Sequence, residues 1–136
     1  MGLGPFLFLA SLGAVAMAAA VHGGRDERLG AMALVAAAIL TPLVQRGGFA
    51  GPETGILIVD VLLFAALLLL AIGSRRFWPI WAAGFHLCAL AVHFAAARLP
   101  DILPAAYAET LVIWSYPVLA AVLLGTLIEA RGERVG

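Results

Sequence analysis

The chain has 136 residues, of which 64% are hydrophobic and 12% are charged. A soluble domain carries roughly 25% charged residues, and eight acidic with eight basic side chains cannot cover the surface that a chain of this length leaves exposed. The composition therefore excludes a soluble fold and indicates an integral membrane protein. A formal net charge of zero also removes the basic footprint of a nucleic-acid-binding protein. The single cysteine, Cys88, cannot form an intramolecular disulfide or a CxxC pair.

Five stretches are apolar enough to cross a bilayer, and each is close to the ~20 residues that a helical span requires. The sequence predicts spans at residues 4–21, 29–45, 55–73, 79–97 and 109–128. Backbone groups in lipid must be hydrogen-bonded internally, and continuous apolar runs such as 61–72 lack the alternation of barrel strands. We therefore predict an all-α bundle of five transmembrane helices that forms one domain over residues 1–136.

Arginine is concentrated in alternate connections, and the chain has no lysine. The first connection, the third connection and the C-terminal tail each carry two arginines, whereas the second and fourth connections carry one each: Arg25 and Arg28, Arg75 and Arg76, Arg131 and Arg134, then Arg46 and Arg98. The positive-inside rule predicts from this pattern an outside N-terminus and a cytoplasmic C-terminus. The use of arginine alone, with abundant alanine and glycine, is typical of a GC-rich bacterial genome. We therefore predict a multi-pass protein of the bacterial inner membrane.

The first span could instead be a cleaved signal peptide, because small residues at 18–20 resemble a cleavage site. Residues 1–5 carry no Arg or Lys, so the charged n-region of a signal peptide is missing. Cleavage would also place the first pair of arginines outside, against the positive-inside rule. We therefore expect the first span to be retained.

The segment 74–81, which reads SRRFWPIW, lies between the third and fourth spans. Tryptophan is enriched at membrane interfaces because its ring is apolar and has one polar edge. We predict that Arg75, Arg76, Trp78 and Trp81 anchor the cytoplasmic interface. An alternative role for this segment is contact with anionic lipid headgroups or with a partner protein.

A few ionisable side chains lie inside the predicted spans, where such groups are costly and mark candidate functional sites. Asp60 lies about six residues into the third span, and His93 lies about five residues from the end of the fourth. At ~1.5 Å per residue both should therefore lie at nearly the same depth in the outer leaflet. The fifth span brings Ser115 and Tyr116 to a similar depth. We predict an intramembrane polar cluster of these four residues.

This cluster has two interpretations. A mutually hydrogen-bonded Asp60–His93 pair would fix helix packing, whereas a pair that binds and releases a proton would serve a transport step, which also requires a cavity and an access path. His86 lies two helical turns before His93, too far for both to bind one metal ion, so we expect no metal and no cofactor. His86 and Cys88 are interpreted as packing residues.

The sequence contains no catalytic constellation and no nucleotide-binding glycine motif, so an enzyme is not expected. We predict a structural or accessory subunit that lies in the lipid bilayer and associates with itself or with a larger membrane complex. The first alternative is a small proton-coupled transporter or channel component that uses Asp60 and His93. The second alternative is a haem-binding or redox membrane subunit that uses His86 or His93.

Overall fold

The computed structural model of the protein describes residues 3–99 and 101–135. These residues form five helices that are long and apolar enough to cross a membrane, which confirms the predicted all-α class and indicates a multi-pass membrane protein. The helices are α1 (Gly4–His22), α2 (Arg25–Val44), α3 (Thr54–Gly73), α4 (Trp78–Arg98) and α5 (Pro104–Val135).

The helices form a closed ring. Each helix packs against its neighbours along the chain, and α5 closes the ring by packing against α1. Helix α2 also contacts α5 across the ring. Because lipid is as apolar as leucine, packing and internal polar contacts hold such a bundle together, and a hydrophobic driving force contributes little.

The two ends of the bundle are distinguished by contacts between its connections. At the loop end, the Phe49 ring of the α2–α3 connection packs edge-on against Tyr107 near the start of α5, with ring centroids 5.3 Å apart. At the arginine end, Arg76 of the α3–α4 connection forms an ion pair with Glu129 near the end of α5. Successive helices therefore run in opposite directions.

Two helices begin earlier than the predicted spans. Helix α2 begins at Arg25, before the predicted start at residue 29, because the Glu27 carboxylate accepts a hydrogen bond from the Gly24 N–H at 2.9 Å and caps the first turn. Acidic side chains in that turn also complement the helix dipole. Helix α5 begins at Pro104, where a missing N–H costs nothing, and not at Glu109. Charged residues predicted to lie in connections are therefore helical.

Trp78 fills the centre of the ring at the arginine end. Its side chain is fully buried, and it lies between Gly30 of α2 and Gly125 of α5. A Cβ atom at either glycine would overlap the indole ring, so both positions require glycine. We call these three residues the Trp78 plug. The expectation that Trp78 anchors the lipid interface is therefore wrong, whereas Trp81 is 59% exposed.

The Trp78 plug is held by a buried carboxylate. Glu27 is fully buried, and its Oε1 accepts a hydrogen bond from the Trp78 Nε1–H at 2.9 Å. The Nε atom of Arg76 lies 4.0 Å from the same oxygen and joins Glu27 to the Arg76–Glu129 pair. Arg75 and Arg76 are both exposed, and Arg76 also connects the two carboxylates Glu27 and Glu129.

Candidate functional site

A chain of hydrogen bonds links three helices in the half of the bundle nearer the loop end. The Nε2 atom of His93 on α4 lies 2.7 Å from the Asp60 Oδ2 on α3. The Nδ1 atom of the same ring lies 2.6 Å from the Tyr107 hydroxyl on α5. His93 and Tyr107 are buried, and the Asp60 side chain is 15% exposed. We call Asp60, His93 and Tyr107 the polar triad.

His86 lies on α4 two helical turns before His93, farther from the loop end of the bundle. Its Nε2 atom is 2.9 Å from the backbone oxygen of Asp60 and 3.7 Å from the Asp60 Oδ1. A carbonyl oxygen can only accept, so Nε2 carries the proton of this hydrogen bond. His86 is therefore more than a packing residue, because it places a second ring that can bind a proton beside the same carboxylate.

His93 can gain a proton without losing either hydrogen bond. In the neutral ring, Nε2–H donates to Asp60 and Nδ1 accepts from the Tyr107 hydroxyl. In the protonated ring, Nδ1–H donates to the Tyr107 oxygen and the bond to Asp60 is kept. With Asp60 ionised, protonation of His93 changes the charge of the triad from minus one to zero.

A central cavity of about 360 Å³ lies against Asp60 and His86. All five helices line it, and most of the lining is apolar. Among the described lining residues, Asp60 is the only acidic side chain and no Lys or Arg is present. Along α5 the lining runs from Ala108 to Leu119, which at ~1.5 Å per residue is a depth of about 16 Å. The cavity thus extends from the loop end to the middle of the bundle. Beyond it, toward the arginine end, the Trp78 plug fills the space between the helices.

Two of the predicted cluster residues lie outside the polar triad. Ser115 lines the cavity, and its hydroxyl donates to the Leu111 carbonyl of its own helix. Tyr116 is 36% exposed and packs edge-on against Phe8 of α1. The correct aromatic partner is Tyr107, which lies about two and a half helical turns earlier. The prediction missed it because α5 was expected to begin after this residue.

The α2–α3 connection folds around a second buried carboxylate, Glu53. Its two oxygens accept hydrogen bonds from the backbone N–H groups of Arg46, Gly47 and Phe49, at 3.2, 2.8 and 2.9 Å. These bonds hold Phe49 in a left-handed conformation with φ 63°, which costs a non-glycine residue about 1–2 kcal/mol. Phe49 in turn lines the cavity and packs on Tyr107. Glu53 therefore positions the Phe49 side chain at the loop end of the cavity.

We expect replacement of Glu53 by glutamine to loosen this connection. Burial raises the pKa of Glu53, but the three N–H donors outweigh burial and the pKa lies below its ordinary value of 4.5. The charge thus stabilises the connection above that ordinary value, and the stabilisation is lost as the pH falls through the lower, folded value. A neutral amide accepts weaker bonds by about 1–2 kcal/mol in total, so amide hydrogen exchange at Gly47 and Phe49 should be about tenfold faster at neutral pH. Glu109→Gln, at an exposed site on α5, is the control, and equal exchange in both variants would contradict this role.

His93 is poorly placed to bind haem or a metal ion. Both ring nitrogens of His93 are already engaged by Asp60 and Tyr107. Within residues 3–99 and 101–135, no group of three His, Cys, Asp or Glu side chains has an arrangement that could hold a metal ion. The arrangement is instead suited to holding and exchanging a proton.

The chain matches no protein-family model, no curated protein and no solved structure. Helix bundles serve many unrelated functions, so a fold of this kind names no activity by itself. The function of this protein has to be inferred from its polar triad and its cavity.

Proposed function

We propose that the protein is a small proton-coupled transporter that exchanges an organic cation for a proton at Asp60. The observation that carries the proposal is the central cavity, whose described lining holds one carboxylate and no Lys or Arg. Its volume of about 360 Å³ lies in the range of small-molecule sites. The apolar lining suits an apolar body, and it includes Phe8 and Phe49, whose aromatic rings are of the kind that attracts cations.

Competition for one negative charge supplies the coupling. An ionised Asp60 beside neutral histidines leaves a charge in apolar surroundings, which is costly. A proton on His93 or His86 neutralises this charge, and so does an organic cation in the cavity, while Tyr107 keeps His93 hydrogen-bonded in both states. Each bound cation therefore releases a proton, and cation affinity rises about tenfold per pH unit wherever one proton is displaced.

The arginine pattern supports an orientation for this exchange. Two connections and the C-terminal tail at the arginine end carry most of the arginines, which favours a cytoplasmic location for that end. The N-terminus would then be outside, the C-terminus would be cytoplasmic, and the cavity would reach the outer face of a bacterial inner membrane. Passage of a cation to the other face would require the Trp78 plug to move.

Proton release on ligand binding tests the proposal. Purified protein in weakly buffered detergent solution is titrated with benzyltrimethylammonium while the bound ligand and the pH are followed together. We expect about one proton per bound cation, tighter binding as the pH rises, and at least tenfold weaker binding to Asp60→Asn. The asparagine keeps an acceptor for His93, so this variant should fold.

Two controls accompany this titration. Asp101→Asn makes the same chemical change at an exposed site in the α4–α5 connection and should bind like the wild type. Neopentylbenzene has the shape of the probe without its charge and should bind weakly and release no proton. Wild-type protein that does not bind the cation, or that binds it independently of pH, would contradict the exchange.

A structural or accessory subunit is the second candidate, and one observation favours it. Among the described residues, every buried side-chain nitrogen and oxygen has a hydrogen-bond partner. A polar triad that is satisfied internally is sufficient to fix the packing of α3, α4 and α5 without any ligand. The two candidate functions make different predictions for a variant whose whole triad is replaced by apolar side chains. Exchange at Asp60 predicts that such a variant folds but loses proton-linked cation binding.

A further inference from the structure

We infer that a groove between α2 and α3 at the arginine end binds one anionic phospholipid, with Arg25 on the phosphate and an acyl chain between the helices. The groove has a volume of about 400 Å³ and is separate from the central cavity. Its lining consists of apolar side chains below a charged rim: Arg25, Asp26, Leu29, Gly30, Ala33, Ala66, Leu67, Leu69, Leu70 and Gly73.

The rim of the groove carries an arginine that is available to a ligand. Arg25 is exposed, and among the described residues no carboxylate lies within ion-pair distance of it. The neighbouring Asp26 carboxylate accepts a short hydrogen bond from the Ser74 hydroxyl, which orients it toward the α3–α4 connection. Glu27 is buried on the opposite side, against Trp78. Arg25 is therefore the charged group that can meet a ligand at this rim.

The surrounding charge complements an anion. The described side chains of the arginine end include five arginines against three carboxylates, and Glu27 and Glu129 are already engaged by Arg76. A phosphate at the rim would meet a net positive field, which attracts an anionic lipid. Basic pockets between transmembrane helices are typical headgroup sites.

The apolar part of the groove favours a lipid over a free phosphate. Along α2 the lining runs from Arg25 to Ala33, and along α3 from Gly73 to Ala66, which corresponds to a depth of roughly 10–12 Å at ~1.5 Å per residue. Gly73 has no side chain to obstruct the entrance of the groove. Ala66 has only a methyl group, so it takes up little of the space between α2 and α3. A hydrocarbon chain can therefore lie along the groove below a headgroup bound to Arg25. This inference is independent of the cation site.

Native mass spectrometry of the protein in mild detergent tests the inference. We expect one phosphatidylglycerol molecule to be retained, with phosphatidylcholine retained at least fivefold less. Arg25→Gln should lower phosphatidylglycerol occupancy about fivefold, while Arg75→Gln, at an exposed arginine of the same end outside the groove, should change it less than twofold. Ala66→Phe fills the groove with all charges intact and should lower phosphatidylglycerol binding as much as Arg25→Gln.

Three results would overturn the inference. Equal occupancy in Arg25→Gln, Ala66→Phe and Arg75→Gln would show nonspecific annular lipid only. Equal retention of phosphatidylglycerol and phosphatidylcholine would remove the role of charge. Displacement of phosphatidylglycerol by soluble glycerophosphoglycerol at equal concentration would show a headgroup site without a role for the groove. Because none of these measurements involves Asp60, they leave the proposed cation exchange untouched.

Discussion

Replacement of Trp78 by alanine is expected to lower the free energy of unfolding by at least about 4 kcal/mol. Loss of a fully buried tryptophan leaves a cavity that costs about 3–5 kcal/mol. The change also removes the hydrogen bond to the buried Glu27 carboxylate, and loss of one partner of a buried polar pair adds a further penalty. Unfolding in mixed micelles with increasing fractions of sodium dodecyl sulfate, followed by circular dichroism, measures the loss.

Trp81 provides a matched control for this prediction. It lies three residues farther along the same helix and is 59% exposed at the surface of the bundle, so Trp81→Ala should cost less than about 1 kcal/mol. Trp78→Phe separates the two contributions, because it keeps an aromatic ring between the glycines and removes the N–H donor to Glu27. Similar losses in Trp78→Ala and Trp81→Ala would contradict a central role for the Trp78 plug.

Replacement of the whole polar triad is expected to separate folding from function. His93→Phe alone should cost about 3–5 kcal/mol, since it removes the hydrogen bonds that His93 makes to the Asp60 carboxylate and the Tyr107 hydroxyl. The triple variant Asp60→Leu, His93→Phe and Tyr107→Phe removes every partner at once and should recover to within about 1.5 kcal/mol of the wild type. It should nevertheless lose proton-linked binding of benzyltrimethylammonium completely.

The same unfolding assay and the proton-release titration provide both readouts. A folded triple variant without cation binding would support exchange at Asp60. A folded triple variant that binds the cation with the wild-type pH dependence would show that the polar triad serves packing alone and would contradict exchange at Asp60. The single variant His93→Phe is the reference that shows how far the unpaired groups, as opposed to lost volume, destabilise the bundle.

Hydropathy and depth were sufficient to predict part of this architecture. Runs of apolar residues identify five helices, and equal depth at a fixed rise per residue brings Asp60 and His93 to the same level. Both inferences depend on distances along single helices, which sequence encodes directly. The third member was missed because Tyr107 lies before residue 109, where the fifth span was expected to begin, whereas α5 begins at Pro104.

The positions of the buried charges were harder to predict from sequence. Glu27 sits in a charged stretch that looks like a solvated connection, yet the helix begins before it and turns its side chain inward onto Trp78. Nothing local to Trp78 marks it as buried, because the space that it fills is made by Gly30 and Gly125, which are distant in sequence. Contacts between helices that are distant in sequence decide whether Glu27 and Trp78 are buried. A hydropathy window covers one helix at a time and contains no information on these contacts.

Closure of the ring by α5 has a consequence for the order in which the protein is assembled. Four of the packed pairs join successive helices and can form as the chain is inserted into the membrane, but the seam between α1 and α5 must wait for α5. Phe8 on α1 and Ser115 on α5 both line the cavity beside that seam. A nascent chain that still lacks α5 thus has no α5 wall at the cavity, and the Asp60–His93 pair lacks Tyr107 until α5 has been synthesised.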